Sequence, residues 1–143
     1  MAFSFEQYVQ KGNEFMLEVA KELGHPDDTD RAYRVFRSVT HALRDNITLQ
    51  ENLHLISQLP MMIKAVYVDS WTATSKHDLA LDEFIVRVQM NNTTNSLRDL
   101  DDPEEALRAV EAVFDVLKRH VSPGEIGHII GILPAELKPL LRD

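Results

Sequence analysis

The sequence predicts an all-α protein: two tandem copies of one helical unit packed as a pseudo-twofold bundle. Three observations predict it. Apolar residues recur at i, i+3, i+4 and i+7 along most of the chain. Helix start and stop signals stand at matching places in its two halves. And the chain repeats itself.

With residues 32–60 written above residues 106–134, Ala32, Arg34, Val39, Leu43, Glu51, His54, Ile56, Leu59 and Pro60 match Ala106, Arg108, Val113, Leu117, Glu125, His128, Ile130, Leu133 and Pro134. Ile63 and Lys64 continue the register over Leu137 and Lys138. Upstream, Glu14-Phe15 and Val19 lie over Glu83-Phe84 and Val88 in a shorter register. The difference places extra residues of the second copy in the Asn- and Thr-rich stretch Gln89–Leu100, which reads as a longer loop, where insertions cost little. The expected organisation is a first repeat at 1–70, a connector at 71–78 beginning at Trp71, and a second repeat at 79–143. A lone half of about 70 residues has a marginal core, so the halves are expected to share one interior.

The first helix is expected over 5–23, with Phe5, Tyr8, Val9, Gly12, Met16, Val19, Ala20 and Leu23 on one face. Gly12 on that face indicates a close neighbour, and Gly24-His25-Pro26 ends the helix. Asp28 caps a second helix over 29–44, striped by Ala32, Val35, Phe36, Val39 and Leu43. Its counterpart over 103–120 opens with Asp102-Pro103-Glu104-Glu105, a cap, a Pro at N1 and a Glu at N3. Thr48-Leu-Gln-Glu51 and Ser122-Pro-Gly-Glu125 read as capping boxes opening short helices that end at Leu59 and Leu133. A further turn or two follows Pro60 and Pro134. Residues 79–90 form the second copy's first helix; Phe84-Ile85-Val86 has strand-like composition, but Glu83 and Arg87 stand at helical spacing.

Bulk properties exclude several classes of function. With 143 residues and 44% hydrophobic content, the chain can build a core without staples. It has no Cys, which removes disulfides, thiolate ligands and cysteine nucleophiles. No apolar run is long enough to cross a bilayer, and the first residues carry no signal-peptide pattern. The expectation is a cytoplasmic protein without membrane contact. The net charge of −8, with its 15 Lys and Arg interspersed among acids, argues against nucleic acid as a partner.

The segment from Ala109 to Lys138, with Ser122-Pro-Gly-Glu125 followed by Leu133-Pro-Ala-Glu-Leu137, resembles the bacterial DUF2267 family, whose function is unknown. The first copy departs from that pattern, with Thr48-Leu-Gln-Glu51 and Leu59-Pro-Met-Met-Ile63. The resemblance implies an all-helical fold and a bacterial origin, and it supplies no catalytic residues.

The candidate chemistry is a doubled Glu-x-x-His, Glu51-Asn-Leu-His54 and Glu125-Ile-Gly-His128. Paired motifs of this kind, joined by two further Glu, build di-iron carboxylate sites. Two arguments weigh against a metal here. His128 falls roughly 150° from the centre of the Ile126, Ile129, Ile130, Leu133 stripe, and His54 behaves likewise, so both imidazoles point to solvent or a partner. Each Glu also has a capping role at N3. The acidic stretches at 27–30 and 99–105 fail the EF-hand template: counted from Asp28, positions 6 and 12 are Tyr33 and Val39, and from Asp101 they are Ala106 and Ala112. No nucleophile elbow or phosphate loop occurs.

Met61 and Met62, with Tyr67 and Trp71, are a candidate docking surface, set against simple packing where the halves meet. The functional expectation is a non-catalytic binding or interaction module with no cofactor, acting on a protein partner or on itself. The alternative is a metal-binding or redox protein using Glu51, His54, Glu125 and His128.

Overall fold

The computed structural model describes residues 2–73, 76–92 and 98–142. Its helices are α1 (Glu6–Glu22), α2 (Thr29–Arg44), α3 (Leu49–Ser57), α4 (Met61–Val68), α5 (Leu81–Asn91), α6 (Pro103–His120), α7 (Pro123–Ile132) and α8 (Lys138–Leu141), with a 3-10 turn at Ala135–Leu137 before α8. No strand occurs among the described residues, Phe84–Val86 included. Among the described residues, no helix is long and apolar enough to cross a membrane. Part of the expected connector and of the Gln89–Leu100 loop lies outside the described residues.

The caps behave as small carboxylates and hydroxyls should. Asp28 Oδ1 accepts from Arg31 N–H, Thr48 Oγ1 from Glu51 N–H, Asp102 Oδ1 from Glu104 N–H and Ser122 Oγ from Glu125 N–H. The reciprocal arm expected of these boxes is absent among the described residues. Glu105 is drawn into an ion pair with Arg31 at 3.1 Å, and the Ser122 N–H donates to Gln58 Oε1 at 2.7 Å. The arm is made instead at α5, where Ala80 N–H donates to Glu83 Oε1.

Helices α2 and α6 run through the middle of the core. α2 packs against α1, α4, α5 and α6, and α6 also packs against α1, α5 and α8. Val35, Phe36, Val39 and Leu43 of α2 are buried with Val110, Val113, Phe114 and Leu117 of α6. Phe15 of α1 meets Phe36 edge-on at 5.3 Å between ring centroids. The short helices α3 and α7 pack on one another.

The acidic stretches are absorbed by the fold only in part. Asp28 and Asp102 are caps, and Asp99 takes a two-pronged pair from Arg34 with both distances at 2.9 Å. Below α2 lies a polar network. Arg44 donates to the carbonyls of Tyr67 (2.6 Å), Asp69 (2.9 Å) and Ser70 (3.3 Å), closing the open end of α4. Asn52 donates to Arg44 O and accepts from the Tyr67 hydroxyl.

Tyr67 is therefore fully buried and plays no part in an exposed surface. Of the other residues expected to dock a partner, Met61 and Met62 are exposed, and Trp71 is half-buried, with the Arg44 guanidinium 6.0 Å from its ring centroid. Tyr67 follows Ile63 by one turn, so it faces the core, and its hydroxyl finds a partner there.

Gly12 is the close neighbour the sequence indicated: a Cβ built on it would stand 2.8 Å from Met62 Cβ. Gly12→Ala gains about 1 kcal/mol of helix propensity but forces α1 off α4 at a cost of roughly 1–3 kcal/mol. The expected result is a net loss of up to about 2 kcal/mol in urea denaturation. A stabilised variant would show that α1 tolerates the shift.

Candidate metal centre

The first turn of α3 and the first turn of α7 face one another, and they bring the two Glu-x-x-His segments together. Glu51 precedes Leu55 by four residues, and Glu125 precedes Ile129 by four and Leu133 by eight. All three of those apolar residues are buried. Each Glu thus sits on the inward stripe of its own helix, and the packing of α3 on α7 sets the carboxyl groups side by side.

The side chains of Glu51 and Glu125 are 16% and 6% exposed, whereas those of His54 and His128 are 48% and 69% exposed. The imidazoles are outward, as the helical geometry requires. However, each ring turns its Nδ1 back over the carboxylates. His54 Nδ1 lies 3.7 Å from Glu125 Oε1 and 3.8 Å from Glu51 Oε1, and His128 Nδ1 lies 3.7 Å from Glu125 Oε1. Donor atoms of Glu51, Glu125 and His128 all fall within 4.8 Å of one another.

These separations are longer than hydrogen bonds. They approach the donor–donor edge of about 3.3 Å in a tetrahedral site with metal–ligand bonds near 2.0–2.1 Å. The three nitrogen–oxygen separations exceed that edge by about 0.4–0.5 Å.

The electrostatics favour a cation. The Oε2 atoms of both Glu51 and Glu125 are buried without a hydrogen-bond partner. Burial pushes the Glu125 carboxyl above its usual range, and the hydrogen bond and charge of Glu51 beside it add to the rise. His54 and His128 pull it the other way. Two carboxyl groups in this position share a proton or hold a cation, because two adjacent buried negative charges repel.

The donor set is two carboxylate oxygens and two imidazole nitrogens, which suits zinc and its first-row neighbours better than magnesium or calcium. A dinuclear carboxylate site requires two more Glu. No further carboxylate joins the cluster among the described residues, so the arrangement fits a single ion.

The capping role assigned to the two Glu is corrected here. Both N-caps are made by hydroxyls, and the carboxylates turn to each other instead. The signal in the sequence that points to this is the i, i+4 relation of each Glu to a core residue.

A comparison with curated proteins finds no match. A comparison with protein families matches residues 12–140 to the one described as "Uncharacterized conserved protein (DUF2267)". That span takes in every helix from the middle of α1 to α8, including all four converging side chains, and the chain belongs to the DUF2267 family.

Proposed function

We propose that this protein binds one divalent transition-metal ion of the zinc class between α3 and α7, through Glu51, His54, Glu125 and His128. The observation that carries the reading is the pair of buried, partnerless carboxylate oxygens under two imidazoles. A buried orphan oxygen on one Glu costs stability; the same defect on both, face to face, is relieved by a shared proton or by a cation, and the two imidazoles above favour the cation. Because α3 and α7 come from different halves, the ion would clamp the halves together.

The reading extends to the organisation of the chain. Equivalent motifs from 1–70 and 79–143, joined by 71–78, would meet across a pseudo-twofold axis running through the site. A mononuclear site of this kind serves binding, sensing or structural stabilisation.

Isothermal titration of the metal-stripped protein with Zn²⁺ tests the reading. One ion per chain is expected, with Mg²⁺ and Ca²⁺ failing to compete. Glu51→Gln/Glu125→Gln removes both charged ligands and is expected to weaken binding by about 100-fold or more, and the exposed pair His54→Ala/His128→Ala by at least about tenfold. Zinc uptake that is unsaturable, or unchanged in the carboxamide variant, would sink the proposal.

A further inference from the structure

We propose that the groove between α5, the start of α6 and the turn at Ala135–Leu137 docks a short amphipathic helix of a partner protein, with aliphatic anchors on one face and Lys or Arg on its flanks. The groove has a volume of about 580 Å³, within the range of binding clefts. Its floor and walls are apolar: Leu81, Ile85, Val86 and Leu107, with Pro103 at one end. Val86 is half exposed in the middle of α5 with its side chain turned to solvent.

The charge on the rim sets the partner's chemistry. Every ionisable residue lining the groove is acidic: Asp82, Glu104 and Glu136. Several acids elsewhere are paired with cations, as in Arg34–Asp99, Arg31–Glu105, Arg37–Asp69 and Arg119 with Glu18 and Glu22, while others among the described residues, Asp30 and Glu111 included, are not. Asp82, Glu104 and Glu136 have no cationic partner among the described residues; Asp82 Oδ1 accepts only the Glu83 N–H. Arg87 lines the adjoining shelf beyond Val86 and not the groove itself. An apolar trough bounded by three unneutralised carboxylates complements a segment that is oily in the centre and basic at the margins.

A helix fits better than a strand. The trough lies between two packed helices, whose ridges accept those of a third, and there is no sheet edge among the described residues to extend. The residues of α5 span about 16 Å, so anchors at i, i+3 or i+4, and i+7 of a docked helix would reach from end to end.

Fluorescence polarisation with a labelled synthetic helix tests the proposal. The probe carries Leu at i, i+3, i+4 and i+7 and Lys at its flanks. Its comparators are a scrambled peptide of equal composition and a version with Glu in place of Lys. Micromolar binding of the patterned Lys peptide is expected, with the scrambled peptide at least about tenfold weaker and the Glu version unbound. Val86→Glu, at an exposed position that leaves the core intact by circular dichroism, is expected to weaken binding about tenfold or more. Glu104→Lys/Glu136→Lys is expected to reverse the preference and admit the Glu-flanked peptide.

Equal binding of patterned and scrambled peptides, or no response to Val86→Glu, would overturn the assignment. So would a concentration-dependent dimer by light scattering that Val86→Glu dissolves, because the face would then belong to a second copy. The metal ligands are untouched by these variants, so this test is independent of the zinc titration.

Discussion

In metal-free buffer at neutral pH, Glu51→Gln/Glu125→Gln is expected to unfold at a higher urea concentration than the wild type. The wild-type fold holds two carboxyl groups side by side with an orphan oxygen on each. Amides carry no charge and supply their own donors, so the two substituted side chains bond to each other without recruiting a proton. The gain is expected to be about 1 kcal/mol, the size of one relieved buried polar group.

With zinc present the order inverts. At a free-ion concentration of 100 times the wild-type Kd, the wild type gains about 2.7 kcal/mol, on the order of 8 °C in Tm, and a variant weakened 100-fold gains no more than about 0.4 kcal/mol. The sign of the pH dependence agrees. Glu125 has a raised folded-state pKa, so the apo fold draws stability from its proton in acid and loses it as pH rises through that pKa. An apo-stabilised variant that also loses most of its response to zinc separates a binding site from a merely structural contact. A variant destabilised in both conditions would mean the carboxyl pair is simply part of the packing.

Acid is expected to destabilise the fold through His41. The residue is only 7% exposed on α2, and its Nε2–H donates to Val66 O at 2.9 Å. Burial lowers its pKa from 6.5 to about 4, with the Arg44 and Arg37 charges adding to the fall, although the Val66 carbonyl and Asp69 oppose it. The unfolded chain therefore binds this proton first. Stability is full above pH 6.5 and falls progressively between pH 6.5 and 4, by up to about 3 kcal/mol.

The lowered carboxyls of Glu18 and Asp99 lose their contribution only at lower pH, so the upper part of that window isolates the histidine. Urea midpoints at several pH values, in the Glu51→Gln/Glu125→Gln background to remove the opposing slope of Glu125, measure the effect. His41→Gln is expected to flatten the profile above pH 5. An unchanged slope would place the acid lability elsewhere.

Much of the helical framework was legible because it is local. The stripe Ala32, Val35, Phe36, Val39, Leu43 and the caps Asp28, Thr48, Asp102 and Ser122 are decided within one or two turns, and the helices start within two residues of the expected places. Gly12 was readable too, because a glycine on a buried helix face has few other reasons to be there. Where a side chain had more than one possible partner, the local rule failed. Glu105 chose Arg31 over its own N-cap, and Tyr67 chose Asn52 over the surface.

The candidate metal centre lies on that boundary. The four residues, their equal spacing and the outward turn of the imidazoles follow from the sequence, because an α-helix fixes angles between side chains a few residues apart. That α3 lies against α7, and that each N3 carboxylate meets its twin and not its cap, was decided only by tertiary packing: no local rule contains the distance between two segments more than 60 residues apart.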